Sequence, residues 1–250
     1  MLASERRDHL LETLRRDGKI VAKTAAAELG LSEDSIRRDL RELAAEGLCQ
    51  RVYGGALPVS PAMADYSGRQ QVAVAGKQRV AAAAVRLIDP GSTVILDGGT
   101  TALAVASALP STLRCTVVTH SPTVAAALVE HPGVEVFILG GRLFKHSAVA
   151  SGAATVEAAQ KIAADLFFLG VTGIHPDAGL TTGDGDEAAM KRVLAGRAAE
   201  TYVLGSSEKV GAASPYRVVE LDDVAGVVTD ADPGADVMRR LAERVRIVPA

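Results

Sequence analysis

Three arginines crowd into the run Leu31-Ser32-Glu33-Asp34-Ser35-Ile36-Arg37-Arg38-Asp39-Leu40-Arg41-Glu42-Leu43. Ile36, Leu40 and Leu43 recur there at helical spacing, which buries them on one stripe and turns Arg37, Arg38 and Arg41 outward. A guanidinium is a planar fork of donors that fits a guanine edge or a phosphate, so the chemistry implied is nucleic-acid recognition. Residues 21–30, Val-Ala-Lys-Thr-Ala-Ala-Ala-Glu-Leu-Gly, read as a short small-residue helix with Gly30 as its C-cap, and Ser32 is placed to N-cap the next helix. The pattern is helix, tight turn, helix. Arg37 and Arg38, near the start of the second helix, are placed for base edges or phosphates, and Arg41, a turn later, for backbone phosphate. The bland alternative is a solvated face with intrahelical pairs such as Asp34 with Arg38 or Arg38 with Glu42. The preceding helix, and a glycine-turn hairpin that follows at residues 48–57, weigh against it.

A second constellation is suited to anions. Asp97-Gly98-Gly99-Thr100-Thr101 lies between a short apolar run, Thr93-Val94-Ile95-Leu96, and a helical stretch. Glycines let backbone amides approach an oxyanion, a helix N-terminus supplies positive partial charge, and two hydroxyls add donors. This is phosphate chemistry without a P-loop lysine. Lysine is scarce in the chain, seven against twenty arginines, and Lys77, Lys191 and Lys209 fall in separate segments. Lys191 follows Glu187 by four residues, the spacing of a surface ion pair on one helix. The five histidines show no metal-ligand spacing, and no cofactor motif is present.

Positioning these residues takes two different kinds of scaffold. Residues 1–57 read as three helices and a hairpin: Ser4 can cap the first helix, Leu10, Leu11 and Leu14 line its inner face, and Asp17-Gly18 ends it. Residues 58–72, with Pro58, Pro61, Ser60 and Gly68 and no sustained periodicity, read as a linker. From residue 73 helices alternate with apolar runs at 93–96, 115–119, 134–139, 166–171, 201–204 and 226–229, the pattern of a mainly parallel sheet covered by helices on both faces. Ligands in such sheets bind beyond the carboxyl ends of strands. The alanine runs 81–84 and 125–127 read as helix surface. A chain of 250 residues with 48% apolar content can bury a sizeable core. The lack of an eighteen-residue apolar stretch or an apolar N-terminal run predicts a cytoplasmic protein without membrane contact. Cys49 and Cys115 are expected to be free thiols. A net charge of −3 means that any nucleic-acid binding rests on local clustering of arginine.

Three blocks taken together resemble a known family: Ser35-Ile36-Arg37-Arg38-Asp39-Leu40 with Arg51-Val52-Tyr53-Gly54-Gly55-Ala56 behind it, Leu96-Asp97-Gly98-Gly99-Thr100-Thr101, and Glu187-Ala188-Ala189-Met190-Lys191-Arg192. Tyr66-x-x-Arg69, Gly76-Lys77 and Gly140-Gly141 fall between them in the same order. The chain resembles a DeoR-family bacterial transcriptional regulator. The resemblance implies a winged helix-turn-helix joined to an α/β sensor domain whose fold is shared with sugar-phosphate isomerases, and a repressor of sugar catabolism that answers to a phosphorylated sugar. On that basis the expected contacts with double-stranded operator DNA are Ser35, Arg37, Arg38 and Arg41, with Arg51 and Tyr53 from the wing, Tyr53 having packing as its alternative role. The expected effector contacts are Asp97, Gly98, Gly99, Thr100, Thr101, His120, Gly141, Glu187, Lys191 and Lys209. Glu187 is expected to bond sugar hydroxyls, and Lys191 to neutralise phosphate or order that carboxylate. Arg142 and Lys145 could line the same rim or equally be solvated loop charges. The chain departs from the family pattern at Gly98, usually serine, at His120, usually asparagine, and at Ser206-Ser207-Glu208-Lys209, where an Asp-Ser-Ser-Lys-like motif is usual and Glu208 can supply the displaced carboxylate. A homo-oligomer, dimer or tetramer, is expected, because one small recognition module makes few base contacts. The rival reading is a sugar-phosphate isomerase with an appended DNA-binding domain, since Asp97, Glu187 and Lys209 are residue types that move protons. A nucleoid or scaffold role is disfavoured by the slight acidity.

Overall fold

A computed structural model describes residues 2–250. Three helices, α1 (Ala3–Asp17), α2 (Ala22–Leu29) and α3 (Glu33–Ala45), pack with three short strands, β1 (Ile20–Val21), β2 (Gln50–Val52) and β3 (Gly55–Leu57). The apolar stripe of α3 is buried: Ile36, Leu40 and Leu43 join Leu10 and Leu14 of α1 and Ala22, Ala25 and Ala26 of α2 in one core. Ser32 N-caps α3 by accepting from the Ser35 amide, and Gly30 closes α2 in the left-handed conformation. Two details differ from the sequence reading. Helix α1 starts before Ser4, and the Glu5 carboxylate, not the Ser4 hydroxyl, bonds back to its first turn at the Leu2 amide, 2.9 Å away. Val21 opens no helix; it pairs antiparallel with Gly55, adding a third strand to the hairpin in the order β1-β3-β2. Propensity does not distinguish the two for a valine beside an alanine run, and the edge of the hairpin decides.

The segment after β3 is more ordered than its composition suggests. It holds a 3₁₀ turn, Pro61–Met63, and a short helix α4 (Tyr66–Gln70) capped by Asp65. Val59 forms a bridge with Ala213, and the Ser214 hydroxyl lies 3.2 Å from the Met63 sulfur, so the segment is laid against the following domain.

That domain runs α5 (Val74–Val85), β4 (Thr93–Leu96), α6 (Thr100–Ala108), β5 (Cys115–Thr119), α7 (Pro122–Ala127) and β6 (Val134–Ile138), then a hairpin β7 (Arg142–Phe144) and β8 (Val149–Ser151). It continues through α8 (Ala153–Gln160), β9 (Ala164–Gly170), β10 (Gly173–His175), β11 (Gly179–Thr182), α9 (Gly185–Ala195), β12 (Ala198–Leu204), β13 (Tyr216–Arg217), β14 (Gly226–Thr229), α10 (Asp236–Ala242) and β15 (Ile247–Pro249). Seven strands form one sheet in the order β15-β14-β12-β9-β4-β5-β6, and every pairing in it is parallel. Successive residues feed opposite faces, as the two-residue period of a strand requires. Val94, Leu96 and Phe168 face α5 and α6, whereas Ile95, Phe167 and Leu169 face α8, α9 and α10.

The first alanine run is core, not surface: Ala81, Ala83 and Ala84 are buried where α5 packs on α6 and the sheet, small side chains allowing close approach. The second run, residues 125–127, is at least partly exposed as expected. Cys49 and Cys115 are free and buried in separate cores. Among the described residues no helix is long and apolar enough to cross a membrane.

Candidate functional site

Strand β4 lies between β5 and β9, and from it the chain order runs outward in both directions, to β5 and β6 on one side and to β9, β12, β14 and β15 on the other. The crevice beyond the carboxyl ends of two strands that part in this way is where open α/β sheets bind ligands. Here the loop after β4 brings Gly98, Gly99, Thr100 and Thr101 to it, and the loop after β9 brings Gly170, Val171 and Thr172. Gly99 N-caps α6 at φ 97°, a conformation that side chains disfavour, and so turns the first-turn amides of α6 toward the crevice. Gly98 packs against Val149: a β-carbon there would lie 2.0 Å from a Val149 methyl, so in this chain valine occupies the room that a serine at 98 would need.

Four cations converge on the same cavity. Lys77 comes from α5, Lys191 from α9, Lys209 from the turn after β12, and Arg69 from α4; all four are buried. Against them stand Glu187 and Glu208 in the lining and Asp97 directly behind it. The Lys209 ammonium donates to the Thr101 hydroxyl at 3.1 Å and to the Leu204 carbonyl at 3.3 Å. Burial pushes its pKa down to about 8, opposed by Glu208. Lys77 donates to the carbonyls of Arg69 and Val72, which ties α5 to the segment before it.

Asp97 is fully buried and accepts four hydrogen bonds: from the Gly98 and Gly170 amides, 2.8 Å each, from His120 Nε2 at 2.9 Å and from Lys191 Nζ at 2.6 Å. Burial alone would raise its pKa, but Lys191 and His120 outweigh it and hold the carboxyl well below the usual range. Lys191 also reaches Glu187 at 3.3 Å, and although burial disfavours its charge the two carboxylates keep it protonated. Glu187 in turn accepts from the Ser147 and Thr182 hydroxyls. The α9 pair, whose spacing alone also suits a surface ion pair, is therefore the edge of a buried charge network.

In the N-terminal unit Arg37, Arg38 and Arg41 are exposed on α3, on the side away from its buried stripe. Arg51 and Tyr53 of the hairpin stand beside Arg37 across a shallow cleft, with Tyr53 wholly exposed at the tip. Asp39, on the same helix, is buried and accepts a bidentate pair of bonds from Nε and Nη2 of Arg6, which fixes α3 against α1.

Two family descriptions cover these two ends: "DeoR-like helix-turn-helix domain" matches residues 6–62 and "DeoR C terminal sensor domain" matches residues 72–231. The chain belongs to the DeoR family. The HTH-type transcriptional regulator GlpR of Haloferax volcanii is 33% identical over 239 residues, covering 94% of this chain and 93% of that protein. The glycerol-3-phosphate regulon repressor of Escherichia coli K12 is 29% identical and covers 97% of both chains. Ribose 5-phosphate isomerase A of Methanocaldococcus jannaschii superposes on 53% of this chain and 52% of its own at a TM-score of 0.39 and 18% identity. This DeoR-family protein is a DNA-binding transcriptional regulator with a sensor domain.

Within the DeoR-family sensor domain, Gly98, Gly99, Thr100, Thr101, Glu187, Lys191 and Lys209 line one cavity. Three expected contacts do not. Asp97 and His120 lie behind the wall, with His120 bridging Asp97 and the Ala150 carbonyl, because the loop after β5 packs under β8 and does not open to the crevice. Gly141 lies in the turn between β6 and β7, packed against Thr155. Arg142, at the start of β7, and Lys145, in the turn after it, are exposed and do not line the cavity. On α3 the ion pair that forms is Arg37 with Glu33, 2.8 Å, in place of the Asp34–Arg38 or Arg38–Glu42 pairs; Arg38 and Arg41 form none among the described residues. Ser35 spends its hydroxyl on Ser32 Oγ, 3.0 Å away, inside the cap. Sequence reasoning missed Arg69 as a lining residue. Its signal was present in the Tyr66-x-x-Arg69 spacing, but an arginine in an aperiodic stretch reads as solvated. Ser147 and Thr182, which hold Glu187, carried no local signal.

Proposed function

We propose that this DeoR-family protein is a repressor of a sugar-catabolism operon, acting in the cytoplasm as a dimer or tetramer, and that a phosphorylated sugar in the sensor cavity releases it from operator DNA. In this reading residues 1–57 form the DNA-binding unit, 58–72 the connecting segment and 73–250 the sensor. The observation that carries the reading is the convergence of four buried cations, the first-turn amides of α6 and two threonine hydroxyls at the sheet's branch point. Helix N-termini and lysines are partners for a phosphate dianion, and the carboxylates Glu187 and Glu208 are partners for sugar hydroxyls. Arg38, Arg41, Arg51 and Tyr53 are the side chains offered to DNA, with Arg37 available once it leaves Glu33. A binding role suits the site better than turnover, because Asp97, the strongest candidate base, has its lone pairs engaged by four donors and no exposure to the cavity.

Calorimetry with a panel of sugar phosphates and their unphosphorylated counterparts tests the sensor. Only the phosphorylated members are expected to bind, without sustained conversion. Replacing Thr100 and Thr101 together by valine removes two donors at nearly constant volume, at a cost of about 1.5–3 kcal/mol in binding for each bond to a charged group. Wild-type affinity in a folded double variant would remove the phosphate assignment. Affinity should also fall between pH 7 and pH 9. The ester's second ionisation, near pH 6, is complete over that range, so the loss reports Lys209 giving up its proton around pH 8. The Lys209→Gln variant should bind more weakly and show no such dependence; a pH response that survives in it would assign the titration elsewhere.

A further inference from the structure

The cavity measures about 30 Å³, room for a water or two, whereas small-molecule sites occupy about 300–1,000 Å³. A sugar phosphate therefore fits only if a wall moves. Most walls are the ends of sheet strands and the first turns of α6 and α9, each held by the main core. Among the shorter pieces that complete the lining, the segment joining β3 to α5 contributes the most residues from outside the sheet domain: Ala62 from its 3₁₀ turn, Arg69 from its five-residue helix and Val72 from the turn that follows. It ends at Ala73 in the left-handed region, φ 47°, a strained conformation for alanine that marks a bend before α5.

Arg69 is the unusual group on that wall. Its side chain lines the cavity, and the residue is only 8% exposed. One terminal nitrogen donates to the His146 carbonyl at 3.1 Å, while the buried Nε has no partner among the described residues. No carboxylate is within ion-pair distance of it among the described residues. A buried guanidinium with an open donor costs stability unless an anion joins it, and its fork matches two oxygens of a phosphoryl group.

We propose that Arg69 is a ligand contact, the guanidinium that completes the anion site built by Thr100, Thr101 and Lys209. Because Arg69 rides on the segment leading to the wing, the ligand that engages it also displaces the one stretch of chain connecting sensor to DNA-binding unit. This inference rests on the sugar-phosphate reading above.

The test uses the full chain with glycerol 3-phosphate and inorganic phosphate as probes, comparing Arg69→Met, Arg69→Lys and the Thr100→Val/Thr101→Val variant with wild type. Without probe, Arg69→Met is expected to melt no lower than wild type, since it removes an unpaired buried charge. With probe it should bind at least tenfold more weakly and lose the wild type's thermal shift, and Arg69→Lys should recover part of both. Amide exchange across residues 61–73 should change on adding probe to wild type and stay unchanged in Arg69→Met. A drop of several degrees in the unliganded melting temperature of Arg69→Met would instead mark a structural residue and overturn the assignment. Wild-type affinity in Arg69→Met, alongside loss in the threonine variant, overturns the Arg69 role and leaves the phosphate site standing. Failure of wild type to bind either probe or any sugar phosphate defeats both.

Discussion

Lys191→Met is expected to lose about 3–5 kcal/mol of folding stability, because it leaves Asp97 charged, buried and without its main counter-charge. Domains of this kind hold about 5–15 kcal/mol in total, so the variant should be at the edge of folding at 37 °C. The same substitution read from sequence alone suggests a folded repressor deaf to its effector. The geometry changes that expectation, since Lys191 lies 2.6 Å from Asp97 and only 3% of it is exposed. Adding Asp97→Asn removes the stranded charge and should recover a large part of the loss, while Asp97→Asn alone strands Lys191 and should itself be costly. Urea unfolding of the two single variants and the double variant closes the cycle. A loss below about 1 kcal/mol for Lys191→Met would mean that the pair is solvated in solution and that Lys191 is free to meet a ligand.

Arg38→Ala is expected to weaken operator binding by about 1–3 kcal/mol per recognition helix and to relax specificity at one base position. Arg38 is exposed on α3 and forms no ion pair among the described residues, so no carboxylate there competes for it. Arg37→Ala should show a smaller loss, because Arg37 must first leave Glu33, an exposed pair worth a few tenths of a kcal/mol to about 0.5. Arg41→Ala should instead weaken all DNA alike and lower the salt slope by about one ion. Gel shifts at several salt concentrations, on an operator selected from random-sequence duplexes, separate these outcomes. If both Arg37→Ala and Arg38→Ala bind the selected operator like wild type, α3 is not the helix in the groove.

The sequence by itself determined the elements and the chemistry they carry. The 3.6-residue recurrence of Ile36, Leu40 and Leu43 is a local signal, as are the apolar runs that became β4, β5 and β9 and the glycines that set Thr100 and Thr101 at a helix start. Each depends on residues a few positions apart, so side-chain periodicity suffices to read it. The tertiary structure alone decided the rest. The placement of β4 beside β9 is a matter of which strands pair, and it turns two separate loops into one crevice. Lys191 meets Asp97 across 94 residues of chain, Arg6 meets Asp39 across 33, and Arg69 reaches a cavity formed almost wholly by later sequence. No spacing rule encodes such meetings, because they follow from how helices and strands pack once all their apolar faces are buried together. Burial also reverses the meaning of a residue: the Glu187 to Lys191 spacing of a surface pair, placed under β8 and β11, becomes a desolvated network whose partners cannot be removed one at a time.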